Sequence, residues 1–211
     1  MKLLLVGASG LVGSHVLGKA LADDRVELVT APVRRPLAAH PKLLAPEVDF
    51  DALPQGASWW RADAVICALG TTLRTAGSRA AFRKVDYDYP LAVARLARSH
   101  GTPTFVLNSA MSAKRSSWVF YSRVKGELEG DLETLRFPSL TLVRPGLIGG
   151  QRQENRPGER LAVAAFTLLA PVLPRSLRIN PAAVIAQAMI EAAIAGSAGR
   201  HLIGSAELVA R

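Results

Sequence analysis

The sequence predicts an α/β fold: a doubly wound parallel sheet with helices on both faces, in a single domain over 1–211. Three observations carry that reading. Short apolar segments alternate with longer helical patterns along most of the chain. The strand segments are apolar on both faces, as in a parallel sheet covered on two sides, rather than alternating with polar residues. And 211 residues, 49% of them hydrophobic, supply one sizeable core but not two. No internal repeat or low-complexity linker interrupts the pattern.

The first strand is Lys2 to Val6, and directly behind it stands Gly7-Ala8-Ser9-Gly10-Leu11-Val12-Gly13. Glycines at 7, 10 and 13 let the backbone turn sharply, approach a pyrophosphate closely and pack the following helix on the sheet. The helix start then offers free N–H groups and the positive end of its dipole to phosphates. Leu11, His15, Leu17, Ala20 and Leu21 are spaced to lie near one helical face, with Ser14 and Lys19 elsewhere. The stretch reads as a nucleotide cradle, with Gly7, Ser9, Gly10, Leu11, Val12 and Gly13 as its contacts.

Val26 to Thr30 is the second strand, running into Ala31-Pro32-Val33-Arg34-Arg35-Pro36. The end of the second strand in a doubly wound sheet meets the adenosine ribose, where an acid suits a 2′-hydroxyl and arginine a 2′-phosphate. Arg34 and Arg35, with no acid beside them, point to NADP(H), leaving NAD(H) as the other nicotinamide cofactor. The alternative is a solvated loop. Pro41 to Pro46 reads as a connection and Glu47 to Asp51 as a short third strand, with Asp49 or Phe50 at the adenine or in an ordinary loop. Trp59 and Trp60 are expected to cover a helix on one sheet face. The fourth strand, Asp63 to Gly70, ends where the cofactor ribose would lie, making Ala68, Leu69, Gly70 and Thr71 candidate contacts, followed by Thr72 and Arg74.

A helical segment spans Ser78 to Ser99, with Pro90 marking a kink or a new first turn. Thr104 to Asn108 is the fifth strand, a helix covers Val119 to Leu135, and Leu140 to Val143 is the sixth strand, ended by Arg144-Pro145-Gly146. Pro145 and Gly146, at that strand end, join the candidate cofactor contacts. The segment 147–180, with an arginine-rich loop and the apolar helix Leu161 to Ala170, reads as a substrate-side cap, or else as a dimer surface or buried helix. Pro181 opens a last helix that Ala182 to Ala195 continues and Gly196 ends. His201-Leu202-Ile203 adds an edge strand.

Tyr121 and Lys125 stand four apart on one predicted helix, so their side chains project to the same side. A tyrosine of pKa about 10 needs roughly 3 to 4 kcal/mol of preference for phenolate to act as a base near neutrality, and a nearby ammonium and nicotinamide cation supply it. Such a tyrosine exchanges a proton with a carbonyl or alcohol oxygen while hydride moves at the nicotinamide. Ser109, at the end of the fifth strand, is placed to hydrogen-bond that oxygen. Ser109, Tyr121 and Lys125 are therefore the candidate catalytic residues, and Lys125 is expected to touch the cofactor as well.

Taken together, the chain resembles the short-chain dehydrogenase/reductase superfamily, particularly atypical members such as the Tat-interacting oxidoreductase family. The resemblance covers nearly the whole chain. It rests on the glycine string, Cys67-Ala68-Leu69-Gly70-Thr71-Thr72, Tyr121-Ser122-Arg123-Val124-Lys125-Gly126-Glu127, Arg144-Pro145-Gly146 and Arg152-Gln153-Glu154-Asn155-Arg156-Pro157-Gly158-Glu159. It implies a Rossmann-like fold binding NADP(H), Ser109, Tyr121 and Lys125 in the catalytic positions, and a substrate cleft bordered by the segment after Gly146. The Asn-Ala-Gly string of many members is Cys67-Ala68-Leu69-Gly70 here, and Asp86 stands near the place of their helix asparagine.

The balance of 26 Lys and Arg against 17 Asp and Glu, +9 overall, attracts phosphate-bearing ligands. There is neither a long basic run nor a recognisable RNA-binding motif, so nucleic acid is not an expected partner. Cys67 is the only cysteine; no internal disulfide can form, no Cys-based zinc site exists, no metal is expected, and a reducing, cytoplasmic setting fits. Leu3 to Val6 is too short for a signal peptide, and no run of 18 apolar residues occurs, so an integral membrane protein is not expected. The expected molecule is a monomer or homodimer: an NADP(H)-dependent oxidoreductase acting on an unknown small carbonyl or alcohol, or alternatively an NADPH-binding regulatory protein without significant turnover.

Overall fold

The computed structural model describes residues 1–149, 174 and 178–209. Seven parallel strands form one sheet. In chain order these are β1 (Lys2–Val6), β2 (Leu28–Thr30), β3 (Leu43–Leu44), β4 (Ala64–Cys67), β5 (Thr104–Asn108), β6 (Ser139–Arg144) and, after the two short strands β7 (Ile148–Gly149) and β8 (Asn180–Pro181), β9 (Gly199–Gly204). The spatial order is β3-β2-β1-β4-β5-β6-β9. The order reverses between β1 and β4, the switch point where a doubly wound sheet opens a crevice beyond its carboxyl ends. β7 and β8 pair separately.

Both faces of the sheet are buried, as the apolar strand patterns require. Leu3 and Leu5 face α1 (Leu11–Ala22) and α6 (Ala182–Ala195) through Val12, Val16, Ile185 and Met189. Leu4 and Val6, one residue out of phase, join Val65, Phe105 and Leu107 in a second core with Leu91 of α4 (Tyr89–Ser99) and Leu128 and Leu132 of α5 (Phe120–Thr134). A buried leucine side chain contributes about 1.5–3 kcal/mol relative to exposure, so these two layers dominate the stability.

Several expectations change. The third strand is Leu43–Leu44, not Glu47 to Asp51, of which only Glu47 reaches a ladder, as an isolated bridge to Val33. The buried face of α1 is Val12, Gly13, Val16 and Ala20; of the expected stripe Leu11, Leu17, Ala20 and Leu21 pack on the same core and His15 is exposed. Gly13 abuts the turn before the helix: a Cβ there would lie 2.0 Å from the Gly7 carbonyl oxygen. Trp59 and Trp60 lie on a single 3-10 turn and pack in the second core, which the helices α4 and α5 share, with Trp60 fully buried and its indole N–H donating to Pro54 O at 2.7 Å.

The segment 78–99 is divided. Ser78 caps α3 (Arg79–Arg83), a π-type turn spans Lys84–Asp88, and α4 begins at Tyr89 with Pro90 in its first turn. A short helix, α2 (Leu73–Ala76), precedes them. Gly196 ends α6 in the left-handed conformation, φ 53°. β9 lies at the sheet edge, in register with β6 from Ser139↔Gly199 to Arg144↔Gly204. Of the expected cap, 150–173 and 175–177, including the helix Leu161 to Ala170, lie outside the described residues.

Candidate functional site

A cleft of about 410 Å³ opens at the carboxyl edge of the sheet, over the β1–β4 switch point. Its floor is the start of α1, Gly10 to Val12, and one wall is the turn Ala68 to Leu73 after β4. The opposite wall carries Asp86, Asn108 and Ser109, with Tyr121, Lys125 and Ile148. A second concavity of similar volume, between α1 and α6, has Lys19 already bonded to Gln187 and Asp23 to Arg25. The chemistry is in the first.

The glycine string builds the floor. Gly7 has φ 90°, and a Cβ on it would lie 2.7 Å from the Ala68 carbonyl carbon; its lack of a side chain lets the turn abut the end of β4. α1 then starts at Gly10 with no side-chain cap and no acidic residue in its first turn. First-turn N–H groups have no intrahelical partner, and here no side chain supplies one. An anion at this point is complementary to both the donors and the helix dipole. Among the described residues, the buried Oδ1 of Asn108 also lacks a hydrogen-bond partner and lies in the cleft wall.

Opposite, Lys125 is 3% exposed and its Nζ lies 2.7 Å from Asp86 Oδ1. The π-type turn holds Asp86 there, and its Oδ2 accepts from Thr71 N at 2.8 Å, tying the pair to the β4 turn. Burial disfavours the Lys125 ammonium, but the charge of Asp86, helped by Tyr121, outweighs it and the pKa is raised. The lysine stays protonated. Tyr121 follows from the same helix and packs its ring 5.7 Å from that of the buried Phe82. Burial pushes the Cys67 thiol up to about 11, so it is no nucleophile near neutrality.

Ser109 reaches the cleft as expected, but its hydroxyl is engaged. It donates to Glu129 Oε1 at 2.5 Å, and Glu129, 3% exposed, is gripped by Arg144 Nε at 3.0 Å and Nη2 at 2.5 Å. Arg144 is raised above its usual range chiefly by its hydrogen bonds to that carboxylate, so the guanidinium keeps its charge. Glu129 and Asp86 are the functional neighbours that spacing alone did not single out. Glu129 stands four residues beyond Lys125 on the same helix, between the buried Leu128 and Leu132, and a carboxylate in such a stripe is the signal that marks it.

The remaining expected contacts divide. Gly10, Leu11, Val12, Ala68, Leu69, Gly70, Thr71 and Lys125 line the cleft. Gly7 and Gly13 act through backbone packing beneath it, and Ser9 is exposed beside it. Arg34 and Arg35 are exposed beyond β2. Pro145 and Gly146 are tied into the scaffold: Met111 N donates to Pro145 O at 2.8 Å, and Gly146 N to Asn180 Oδ1 at 2.7 Å. No group of three His, Cys, Asp or Glu among the described residues is arranged to hold a metal.

No family model matches the chain. Protein HTATIP2 of Rattus norvegicus is 35% identical over 201 residues, which cover 93% of this chain and 82% of that protein. The chain belongs to the HTATIP2 family. Another relative, protein fmp52, mitochondrial, of Emericella nidulans, is 38% identical over 173 residues, covering 77% of this chain and 72% of that one. The family assignment agrees with the resemblance to atypical short-chain dehydrogenase/reductases. Among solved structures, MoeE5 in complex with UDP-glucose and NAD superposes with a TM-score of 0.73 at 15% identity, covering 97% of this chain and 76% of that one. The oxidoreductase ylbE of Lactococcus lactis gives 0.67 at 17%, covering 95% and 92%. At such identities the likeness shows the fold, a single Rossmann-like domain. The expectation of a cytoplasmic setting is overturned by the HTATIP2 family's fungal members, several of which are named mitochondrial. No helix among the described residues is long and apolar enough to cross a membrane.

Proposed function

We propose that this HTATIP2-family protein is an NADP(H)-dependent oxidoreductase acting on a small carbonyl or alcohol. The observation that carries the proposal is the convergence of an uncapped helix start and a Tyr121–Lys125 pair on one cleft. The residues present fit a nicotinamide dinucleotide: the α1 amides and glycine floor suit its pyrophosphate, the turn Ala68 to Thr71 borders its ribose, and Arg34 and Arg35 suit a 2′-phosphate. When bound, such a cofactor supplies or accepts the hydride. Tyr121 exchanges the proton with the substrate oxygen. Lys125 favours its phenolate, and Asp86 holds Lys125 in place while offsetting part of its charge.

Ser109 works differently from the sequence expectation. Its one proton is committed to Glu129, so its lone pairs meet the ligand as acceptors and orient an alcohol hydroxyl. To donate to a carbonyl oxygen it must first leave Glu129.

Asp86 on Lys125 and Glu129 on Ser109 also favour a second reading, in which nucleotide binding is reported to a partner without significant turnover. One set of measurements separates the two. NADPH and NADH are titrated by calorimetry against wild type and Arg34→Ala, and NADPH oxidation is screened with aldehydes, ketones and quinones. NADPH should bind more tightly by about 1.5–3 kcal/mol, the worth of charge-assisted bonds, and Arg34→Ala should remove much of the difference. Tyr121→Phe should keep NADPH binding and lose roughly 10²- to 10⁴-fold in turnover. Tight NADPH binding with no turnover on any substrate class favours the regulatory reading; equal affinity for the two nucleotides sinks the NADP preference.

A further inference from the structure

The large hydrophobic side chains left exposed among the described residues are not scattered. Leu73, Met111, Trp118, Val119 and Leu147 all lie in connections after the carboxyl ends of β4, β5 and β6, the edge where the cleft opens; the other two, Leu44 and Leu202, lie on the outermost strands. Trp118 is 98% exposed and Val119 62%. A tryptophan so placed contributes nothing to the core.

Charge is segregated to the same edge. The stretches 70–85 and 109–126 carry eight Lys and Arg and no Asp or Glu. They meet at Phe120, whose ring packs on Phe82 at 5.7 Å and lies under the guanidinium groups of Arg79 and Arg123 at 5.3 and 5.8 Å. Arg123 also donates to Ser117 O at 3.1 Å, holding the turn that projects Trp118. Five of the eight are offset by carboxylates of neighbouring segments, Arg83 and Arg123 by Glu127, Lys84 by Asp51, Arg115 by Asp131 and the buried Lys125 by Asp86, whereas Arg74, Arg79 and Lys114 have no ion-pair partner among the described residues.

We propose that this edge docks on an anionic phospholipid surface, with Trp118 and Val119 entering the headgroup region and Arg79, Lys114 and their neighbours facing lipid phosphates. An amphipathic ring beside aliphatic groups, rimmed by cations, is the chemistry of an interfacial anchor. Each cation close to such a surface raises affinity roughly fivefold. A single-stranded nucleic acid is less well matched: it needs successive aromatic platforms for its bases, and Met111, Val119, Leu73 and Leu147 offer aliphatic surface instead. The cleft mouth then faces the lipid. The proposal is independent of the reaction assigned to the cleft.

The test is flotation with vesicles of phosphatidylcholine alone and of phosphatidylcholine mixed three to one with phosphatidylglycerol. The protein should float with the anionic vesicles only, and added salt should release it. Wild-type Trp emission should shift to the blue on binding, and Trp118→Ala should abolish the shift. Trp118→Ala/Val119→Ala should bind at least tenfold more weakly, as should Arg79→Gln/Lys114→Gln, with unchanged melting temperatures because these side chains are on the surface. Absence of vesicle binding, equal binding to neutral vesicles, or full binding by the double variants overturns the proposal. So does a wild-type dimer in sedimentation that Trp118→Ala dissociates without vesicle binding, or displacement from anionic vesicles by an oligonucleotide at lower phosphate concentration than the lipid.

Discussion

Asp86→Asn isolates the charge of one buried carboxylate, because the amide keeps its shape and an oxygen for Thr71 N. Without that charge, burial acts on Lys125 unopposed, and breaking a buried ion pair this way costs about 3–5 kcal/mol. The pH dependence follows from the direction of the shift. In the wild type the folded pKa of Lys125 lies above its ordinary 10.5, so the pair's contribution is complete below 10.5 and is lost as pH rises through the folded value. In the variant the folded pKa falls below the ordinary value, and deprotonation relieves the penalty. The stability gap between the two, read by denaturant unfolding, should be widest near neutrality, start to narrow below 10.5 as Lys125 of the folded variant deprotonates, and narrow further above 10.5 as the wild type loses its pair. A gap independent of pH rules out an ionic role for Asp86. Of the residues around this pair, Tyr121 and Lys125 were legible because four-residue spacing places two side chains on one helix face. Asp86 was visible only as a position near an expected asparagine, and Glu129 only as a carboxylate in an apolar stripe without a partner to explain it, since the first depends on a π-type turn and the second on an arginine arriving from β6.

At the scale of elements, α1 and α6 are clasped by Arg25, which bonds Asp23 at 2.7 Å and Glu191 at 2.8 Å. Hydrogen bonds from the Arg25 side chain and backbone hold Asp23 down to about 2 from 3.8, and Arg25 lowers Glu191 too. Folded values below the ordinary ones mean that the clasp stabilises above the ordinary carboxylate range and is lost as pH falls through the folded values. Arg25→Gln should therefore lower the melting temperature slightly near neutrality and hardly at all near pH 2 (the value to which Asp23 is depressed). Its groups are exposed and screened, so added salt should also shrink the effect. Equal destabilisation at both pH values in low salt means that Arg25 acts through packing alone. The strands β1, β4, β5 and β6 were readable because doubly covered strands are mostly apolar on both faces, with Thr141 the one polar residue inside β6. β3 was not: it is two half-exposed leucines held by backbone bonds, Val29 N to Lys42 O and Ala31 N to Leu44 O, both 2.8 Å, which no side-chain pattern encodes. Glu47 to Asp51 imitated a strand because Val48 and Phe50 alternate with acids, but Phe50 is drawn away against the Tyr89 ring, 5.4 Å between centroids. Of the stripe expected on α1, Leu11, Leu17, Ala20 and Leu21 do pack on the core; His15 does not, and Gly13 joins the buried face, because hydrophobicity does not register a glycine that must face the sheet.

Over the whole molecule, the glycine floor, the uncapped helix start and the basic edge all lie on the carboxyl side of the sheet, and the chain's +9 excess raises the concentration of an anionic ligand near the protein. A ligand that binds only the folded chain stabilises all of it, because the cleft is built from the ends of β1, β4 and β5 and the starts of α1 and α5, which cannot unfold separately. At a hundred times its dissociation constant NADPH should contribute about 2.7 kcal/mol. For a domain of this size each kcal/mol moves the midpoint by about 2–4 °C, so the melting temperature should rise by roughly 5–11 °C. NADH at the same concentration, weaker by those roughly 1.5–3 kcal/mol, should contribute only about 0.3–1.3 kcal/mol and at most half the rise. Arg34→Ala/Arg35→Ala should bring the NADPH shift down to the NADH shift while leaving the unliganded midpoint unchanged, since both side chains are exposed. Salt should then compress the wild-type difference between the nucleotides without removing the NADH shift, because in the proposed binding mode the 2′-phosphate meets exposed arginines and the pyrophosphate meets backbone amides. A midpoint that moves with neither nucleotide, in a protein whose calorimetric unfolding is intact, removes the nucleotide from the cleft and with it the assigned reaction.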